Sequence, residues 1–208
     1  MRTPFYSTIN TIKEEDLRDI VKQFFDEKVP EYFWIVSASS TGKYHPDFSN
    51  GEGGLARHTI AALEIAEDRM KGMRYNRLPN ELRDNVRAAI ILHDAFKYGS
   101  QERYDTQKAE KGKSYTTSNH GIEAASEFFD FAKDKDIDFK RLKNICTGIE
   151  THMGVGEDLE GKRFPIIGQD DEDVVYLTQS ADYLVSRKEC RSVKAETLFK
   201  QSIQDKEK

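Results

Sequence analysis

The sequence has few cysteines, no long apolar run and no excess of positive charge. Cys146 and Cys190 are the only cysteines in 208 residues and form no CxxC pair, so both are expected to stay free thiols in a reducing compartment. With no secretory leader visible, we expect a cytoplasmic protein. The longest purely apolar run, AAIIL at residues 88 to 92, is far below the roughly 20 residues that a bilayer span needs. No membrane-spanning segment is therefore expected.

The charge balance limits the partners that the chain can attract. The formal net charge is −5, which gives no general attraction to nucleic acid or to an anionic membrane. Any phosphate binding must therefore depend on a local group of cations. Charged residues make up 33% of the chain and apolar residues 37%, and this length suffices for one domain with a core that needs no disulfide.

Apolar residues recur mostly at helical spacing, and no stretch alternates as a half-buried strand would. The sequence thus predicts an all-α protein, with Thr11 and Glu14 as a capping box for the first helix. Ile122 and Phe139 are among the residues expected to point inward. The predicted helices span residues 11–28, 55–70, 79–97, 117–132, 138–152, 172–186 and 192–205.

Three segments lack a core pattern. Residues 39–54 are rich in Gly, Ser, Pro and Asn, which is typical of a loop, and they lead into His58. Residues 99–117 are polar and basic, so we expect a mobile flap that could close over a ligand. Residues 154–171 are expected to be irregular.

Four of the five histidines lie at predicted helix ends or on apolar faces beside glycine-rich turns. One such histidine alone is more often a satisfied core residue than a ligand. Imidazole and carboxylate groups together, however, suit divalent Mn, Fe, Co, Ni or Zn, and a carboxylate can bridge two ions. Five helices supply the candidates, so a bundle could bring them to one centre. The candidate metal ligands are His58, His93, Asp94, His120, His152 and Asp182.

The order of these residues, H…HD…H…H…D, resembles the signature of the HD superfamily of metal-dependent phosphohydrolases, in its form with extra histidines for two metals. The short segments around these residues also resemble those of the family: GGLARHT, ILHDAFK, SNHG, THMG and SADYL. The six residues span positions 58 to 182. The words STGKYHP and GGLARHT also loosely resemble the HD portion of YhaM-type 3′ to 5′ exoribonucleases. The oligonucleotide-binding domain expected of those enzymes is not found in this sequence.

The resemblance implies a helical HD bundle with the metal site at its centre. It would occupy residues 1–208 as one domain, with a core at about 55–188 and flanking helices 11–28 and 192–205. It further implies that His58, His93, Asp94 and Asp182 hold one divalent ion, and that His120 and His152 hold a second one bridged by Asp94. The alternative is a one-metal site in which these two histidines bind phosphate.

Cationic and histidine side chains near the ligands are candidates for substrate contacts. Lys97 follows the HD pair as in the HDxxK pattern of the family and could reach a substrate phosphate, although a solvated lysine is the alternative. His45 could contact phosphate or donate a proton, or be a bystander. Basic residues of the irregular segments could close over an anion, with solvated surface charge as the alternative: Arg163, Lys108, Lys111 and Lys113.

The expected function is hydrolysis of a phosphate ester or anhydride, in a nucleotide or short oligonucleotide, by a metal-activated water, with Asp94 and Lys97 as catalytic residues. Three alternatives stay open: a 3′ to 5′ exonuclease on short single strands, a cyclic or dinucleotide phosphodiesterase, and a nucleotide sensor without turnover. A complete ligand set argues against the sensor. The absence of a basic stripe interleaved with aromatics argues against long nucleic acid.

Overall fold

The structure is a computed structural model that describes residues 1–43, 45–154 and 171–205, together with the backbone of 156–157 and 163–164. It is all-α, as predicted. Its helices in the described residues are α1 Arg2–Ile9, α2 Glu15–Glu27, α3 Gly54–Lys71, α4 Asn80–Leu92, α5 Gln101–Lys111, α6 His120–Ala132, α7 Phe139–Glu150, α8 Glu172–Val185 and α9 Val193–Gln204.

Two helices form the centre of the bundle. Gly54 to Leu63 of α3 and Asp84 to Leu92 of α4 are buried all round, which marks them as helices enclosed by neighbours. Helices α7 and α8 pack against α4, α8 and α9 pack against α3, and α6 packs against α7. This arrangement turns the ends of α4, α6 and α7 toward one point.

The N-terminal segment differs from the predicted helix at residues 11–28. It contains α1, which the sequence analysis missed, and α2 begins only at Glu15. Thr11 does not cap α2; its hydroxyl donates to the carbonyl of Thr8. The backbone amides of Lys13 and Glu14 instead donate to the carboxylate of Asp84 from α4, at 2.9 to 3.1 Å. A local capping pattern could not reveal a partner so distant in sequence.

The prediction of a mobile flap at residues 99–117 is wrong, because residues Gln101–Lys111 of this segment form the helix α5. The Ser100 hydroxyl accepts from the amide of Arg103 at the start of this helix, and Gly112 ends it with a φ of 70°. Tyr104 anchors α5 against Tyr32, with ring centroids 4.8 Å apart. One buried residue on a polar helix gives too weak an apolar stripe to be read from the sequence.

Smaller differences concern helix ends and exposure. Helix α4 ends at Leu92 instead of near Lys97, and residues 93–98 form turns closed by bonds such as Lys97 N–H to Asp94 C=O. Ile122 and Phe139, expected inside, are 41% and 66% exposed.

Within residues 154–171, a short antiparallel ladder pairs Gly156–Glu157 with Arg163–Phe164. Among the described residues, no helix has both the length and the apolar character needed to cross a bilayer.

Candidate metal centre

Six buried side chains, carried by five helices or by the turns that directly follow them, meet at the centre of the bundle. His58 lies in α3 and Asp182 in α8, while His93 and Asp94 directly follow α4. His120 is the first residue of α6, and His152 lies in the turn after α7. None of the six is more than 8% exposed. The structure thus brings together all six residues that the sequence singled out.

Four of these residues form a first group: His58, His93, Asp94 and Asp182. The Nε2 atom of His58 lies 3.0 Å from Oδ1 of Asp182 and 3.6 Å from Oδ2 of Asp94. The Nε2 atom of His93 lies 3.5 Å from each of the same two oxygens. Two imidazoles and two carboxylates therefore point at a common space.

A second group consists of Asp94, His120 and His152. The Nε2 atoms of the two histidines lie 3.0 Å apart. They lie 3.1 and 3.6 Å from Oδ1 of Asp94, respectively. Since the first group uses Oδ2 of the same carboxylate, Asp94 stands between the two groups.

Backbone carbonyls fix the orientation of three imidazoles. The Nδ1 atoms of His93, His120 and His152 each lie 2.6 to 2.7 Å from the carbonyl oxygen of the residue three positions earlier. A carbonyl only accepts, so Nδ1 must carry a proton, and in the neutral imidazole Nε2 then presents a lone pair. Metal-binding histidines are oriented in this way.

This arrangement leaves buried acceptors facing one another. The Nε2 lone pairs of His120 and His152 meet at 3.0 Å. The buried atoms Nε2 of His93 and Oδ1 of Asp94 lack a hydrogen-bond partner among the described residues. Buried polar atoms without partners are costly, and a cation in each group would satisfy them. The donor set therefore fits a metal ion in each group.

The electrostatics of the cluster favour the charged form of its two carboxylates. Burial alone would raise the pKa of Asp94, but Lys97 and His93 hold that pKa well below its usual range. Burial would likewise raise the pKa of Asp182, yet the neighbouring imidazoles of His58 and His93 keep it low.

The histidines respond to the same surroundings in different ways. Burial lowers the pKa of His58 and of His152. It also opposes the charged form of His93, but Asp94 and Asp182 outweigh it and raise the pKa of that imidazole. Neutral imidazoles at His58 and His152 are the form that coordinates a metal.

The cluster opens onto a cavity of about 670 Å³ lined by His120, His152 and Asp182. Lys97 and His45, two of the candidates for substrate contacts, line the same cavity. The Lys97 ammonium donates to Oδ2 of Asp94 at 2.5 Å. His45 lies with Nε2 3.3 Å from Oγ of Ser186, and burial together with His58 lowers its pKa to about 4.

The other cationic candidates for substrate contacts are not among the residues that line this cavity, or their side chains lie outside the described residues. Lys108, Lys111 and Lys113 are exposed and are not among its lining residues. Lys108 and Lys113 instead lie over the rings of Tyr104 and Tyr115. Arg163 belongs to the two-residue ladder, and its side chain lies outside the described residues.

Sequence reasoning missed Gly121 and one face of α8. A Cβ atom at Gly121 would lie 3.0 Å from the ring of His152 and 3.0 Å from the carbonyl oxygen of Glu150, so only glycine lets α6 approach the His152 turn this closely. In the sequence, the glycine directly after His120 in the segment SNHG could have indicated this close approach. On α8, Tyr176, Gln179 and Tyr183 line the cavity beside Asp182. Their spacing of three and seven residues was visible in the sequence.

Comparisons with known proteins give no relative from which to transfer a function. The chain matches no model of a protein family, no curated protein and no solved structure. Inferences about function therefore depend on the residues of this chain.

Proposed function

We propose that this protein is a metal-dependent phosphohydrolase of the HD type, which cleaves a phosphate ester or anhydride in a nucleotide or short oligonucleotide. One observation carries the proposal. Two buried groups of metal-ligand type share the carboxylate of Asp94 and open onto a cavity that also contains the Lys97 ammonium. Paired metal sites beside a cation are suited to phosphoryl transfer, where charge develops on several oxygens.

The ligand assignment follows the two groups. His58, His93, Asp94 and Asp182 would hold one divalent ion, and Asp94, His120 and His152 a second. Such ions, when bound, would polarise phosphoryl oxygens and lower the pKa of the attacking water. No side chain would then have to act as a covalent nucleophile.

The protein's own residues supply position and charge. Asp94 has one oxygen facing each group, so it would set the spacing of the two sites. The carbonyl bonds to Nδ1 of His93, His120 and His152 hold three ligand nitrogens in place before anything binds. Lys97 is 7% exposed at the cavity wall, where a point charge would attract a phosphate oxygen strongly.

The cavity favours a small substrate. Among the described residues that line the cavity, two carry a positively charged side chain, Lys97 and Arg187. Two such charges could neutralise about two phosphates, and a net charge of −5 repels a long polyanion. We therefore expect poor cleavage of duplex DNA and of long structured RNA.

A matrix of metals and substrates tests the proposal. Metal-free protein receives Mn, Co, Ni, Mg, Fe or Zn and is offered mononucleotides, dinucleotides, cyclic dinucleotides and short and long RNA. We expect hydrolysis of at least one small nucleotide with a redox-stable ion, abolished by a chelator and absent in Asp94→Asn.

The remaining outcomes of the matrix separate the alternatives. Tight nucleotide binding without turnover under every metal would replace the proposal with the sensor. Preference for long RNA, with affinity falling steeply as salt rises, would favour the exonuclease. No binding and no turnover of any phosphate compound would refute the proposal altogether.

A further inference from the structure

One face of α8 forms a polar and aromatic wall of the cavity. Gln179, Ser180 and Tyr183 follow Tyr176 at three, four and seven residues, which places the four on one side of α8. Arg187 lies just after the end of this helix, and all five residues line the cavity. The opposite face of the helix is buried and largely apolar. The wall stands next to Asp182, a member of the first ligand group.

Tyr183 is the more exposed of the two tyrosines on this wall. Its side chain directly follows Asp182 in sequence and is 61% exposed. The guanidinium of Arg187 lies over its ring, 4.4 Å from the centroid, and the Arg187 Nε–H donates to the Tyr183 carbonyl. The arginine thus braces the residue through both ring and backbone. A cation above one ring face leaves the other face for a planar group.

Tyr176, two helical turns earlier, already packs against other side chains. Its ring stacks on Tyr75 with centroids 6.1 Å apart, and Arg74 lies 5.4 Å from its centroid. Its hydroxyl accepts from Arg69 at 3.0 Å. Of the two tyrosines on the wall, Tyr183 therefore has the greater free ring surface.

We infer that Tyr183, braced by Arg187, is a specificity-determining residue that stacks on the aromatic base of the substrate while its phosphate lies at the metal centre. The inference rests on the proposed function for the position of the phosphate. Every nucleobase has a π face, so such a contact would select a nucleotide over a sugar phosphate without selecting one base. Ser180 and Gln179 line the same cavity, where polar base edges would need partners.

The test compares two ligands that differ only in the base. Dissociation constants of adenosine 5′-monophosphate and ribose 5-phosphate are measured by calorimetry for the wild type, Tyr183→Ala, Tyr183→Phe and Leu184→Ala. Leu184 is a matched control, because it is 38% exposed on the same helical turn but does not line the cavity. Circular dichroism and Tm show that each variant is folded.

The wild type should prefer the nucleotide, and Tyr183→Ala should weaken nucleotide binding by about 10- to 100-fold, the range of base–aromatic stacking. Ribose 5-phosphate should bind Tyr183→Ala and wild type alike. Tyr183→Phe should keep the preference, and Leu184→Ala should change neither ligand. The inference is overturned if the wild type shows no preference, including the case in which neither ligand binds, or if Tyr183→Ala weakens both equally.

The binding readout separates this inference from the proposed function. A nucleotide preference that depends on Tyr183, in a protein that hydrolyses nothing, would keep the inference and remove the hydrolase. Metal-dependent hydrolysis with a nucleotide preference that survives Tyr183→Ala would do the reverse.

Discussion

Two clusters of buried polar residues lie about α4, and they differ in how their charges are matched. In the network that joins α4 to α3, to α7 and to the segment just before α2, cations and amides face acceptors. Arg87 binds the carboxylates of Asp84 and Glu67, at 2.7 and 2.5 Å. Asn85 donates to Asn144 at 2.9 Å and accepts from Arg141 at 2.8 Å. This network has the composition of a structural connection between helices.

The histidine–aspartate cluster at the other end of α4 has the opposite character. Imidazole lone pairs and carboxylates face one another there, and Lys97 supplies the ammonium at its edge. Both oxygens of Asp84 accept hydrogen bonds, whereas Nε2 of His93 and Oδ1 of Asp94 have no hydrogen-bond partner among the described residues. The difference teaches that polar residues inside this bundle occur in two arrangements: one cluster connects helices, and the other could hold a cation.

The strongest test of this difference is Asp94→Ala, which removes the carboxylate common to both groups. We expect loss of both metal equivalents by elemental analysis. Turnover should fall by about a thousandfold or more, since metal catalysis supplies several kcal/mol of transition-state stabilisation. Full metal content and full turnover in this variant would contradict the assignment of the centre.

Thermal stability gives an independent readout of the same variant. A divalent ion at about 100 times its Kd should stabilise the wild type by about 2.7 kcal/mol, or roughly 5 to 10 °C in Tm. The same ion should leave the Tm of Asp94→Ala within about 1 °C, because a ligand that does not bind cannot stabilise.

The reciprocal change is Asp84→Ala in the structural network. It removes a partner of Arg87 and leaves the amides of Lys13 and Glu14 without their acceptor, so it should destabilise the fold by about 3 kcal/mol. The metal content should stay at the wild-type value. Asp68→Ala is the control, because Asp68 forms an exposed pair with Lys71 and its loss should cost less than about 0.5 kcal/mol. Loss of metal in Asp84→Ala would break the distinction between the clusters.

The two clusters also differ in how far the sequence revealed them. Histidines at predicted helix ends or on apolar faces beside glycine-rich turns singled out the residues that the structure brings together. The position of Asp94 between two groups was expected only from the resemblance to the HD superfamily. Asp84 carried no such signal, because an aspartate on a helix is ordinary and its partners at Lys13 and Glu14 lie some 70 residues away.

Helices were predictable where one apolar stripe was broad, as in α3 and α8, since burial there depends on local periodicity. Helix α5 has one buried residue, Tyr104, and its packing on Tyr32 is a tertiary contact that no local pattern encodes. The exposure of Ile122 and Phe139 has the same cause. Both fit a helical stripe, but the neighbouring helices do not extend over them.

A finer division within the metal centre is tested by His152→Ala. This residue belongs to the second group alone, so one metal equivalent should be lost and one retained. His45→Ala is the control, because His45 lines the cavity but belongs to neither group, and it should keep both equivalents. Unchanged metal content in His152→Ala, with weaker substrate binding, would instead support a one-metal site in which the histidine binds phosphate.

The smallest expected effect belongs to Lys97, which stands where the cluster meets the cavity. Lys97→Ala should keep both metal equivalents, because an ammonium does not coordinate a cation. It should lower kcat/KM by about tenfold, the value of one charge-assisted hydrogen bond to a phosphate oxygen. Lys97→Arg should recover part of this loss, since it restores the charge with a different shape. A uniform loss of metal in both variants would show that the pairing of Lys97 with Asp94, at 2.5 Å, is needed to shape the metal centre itself.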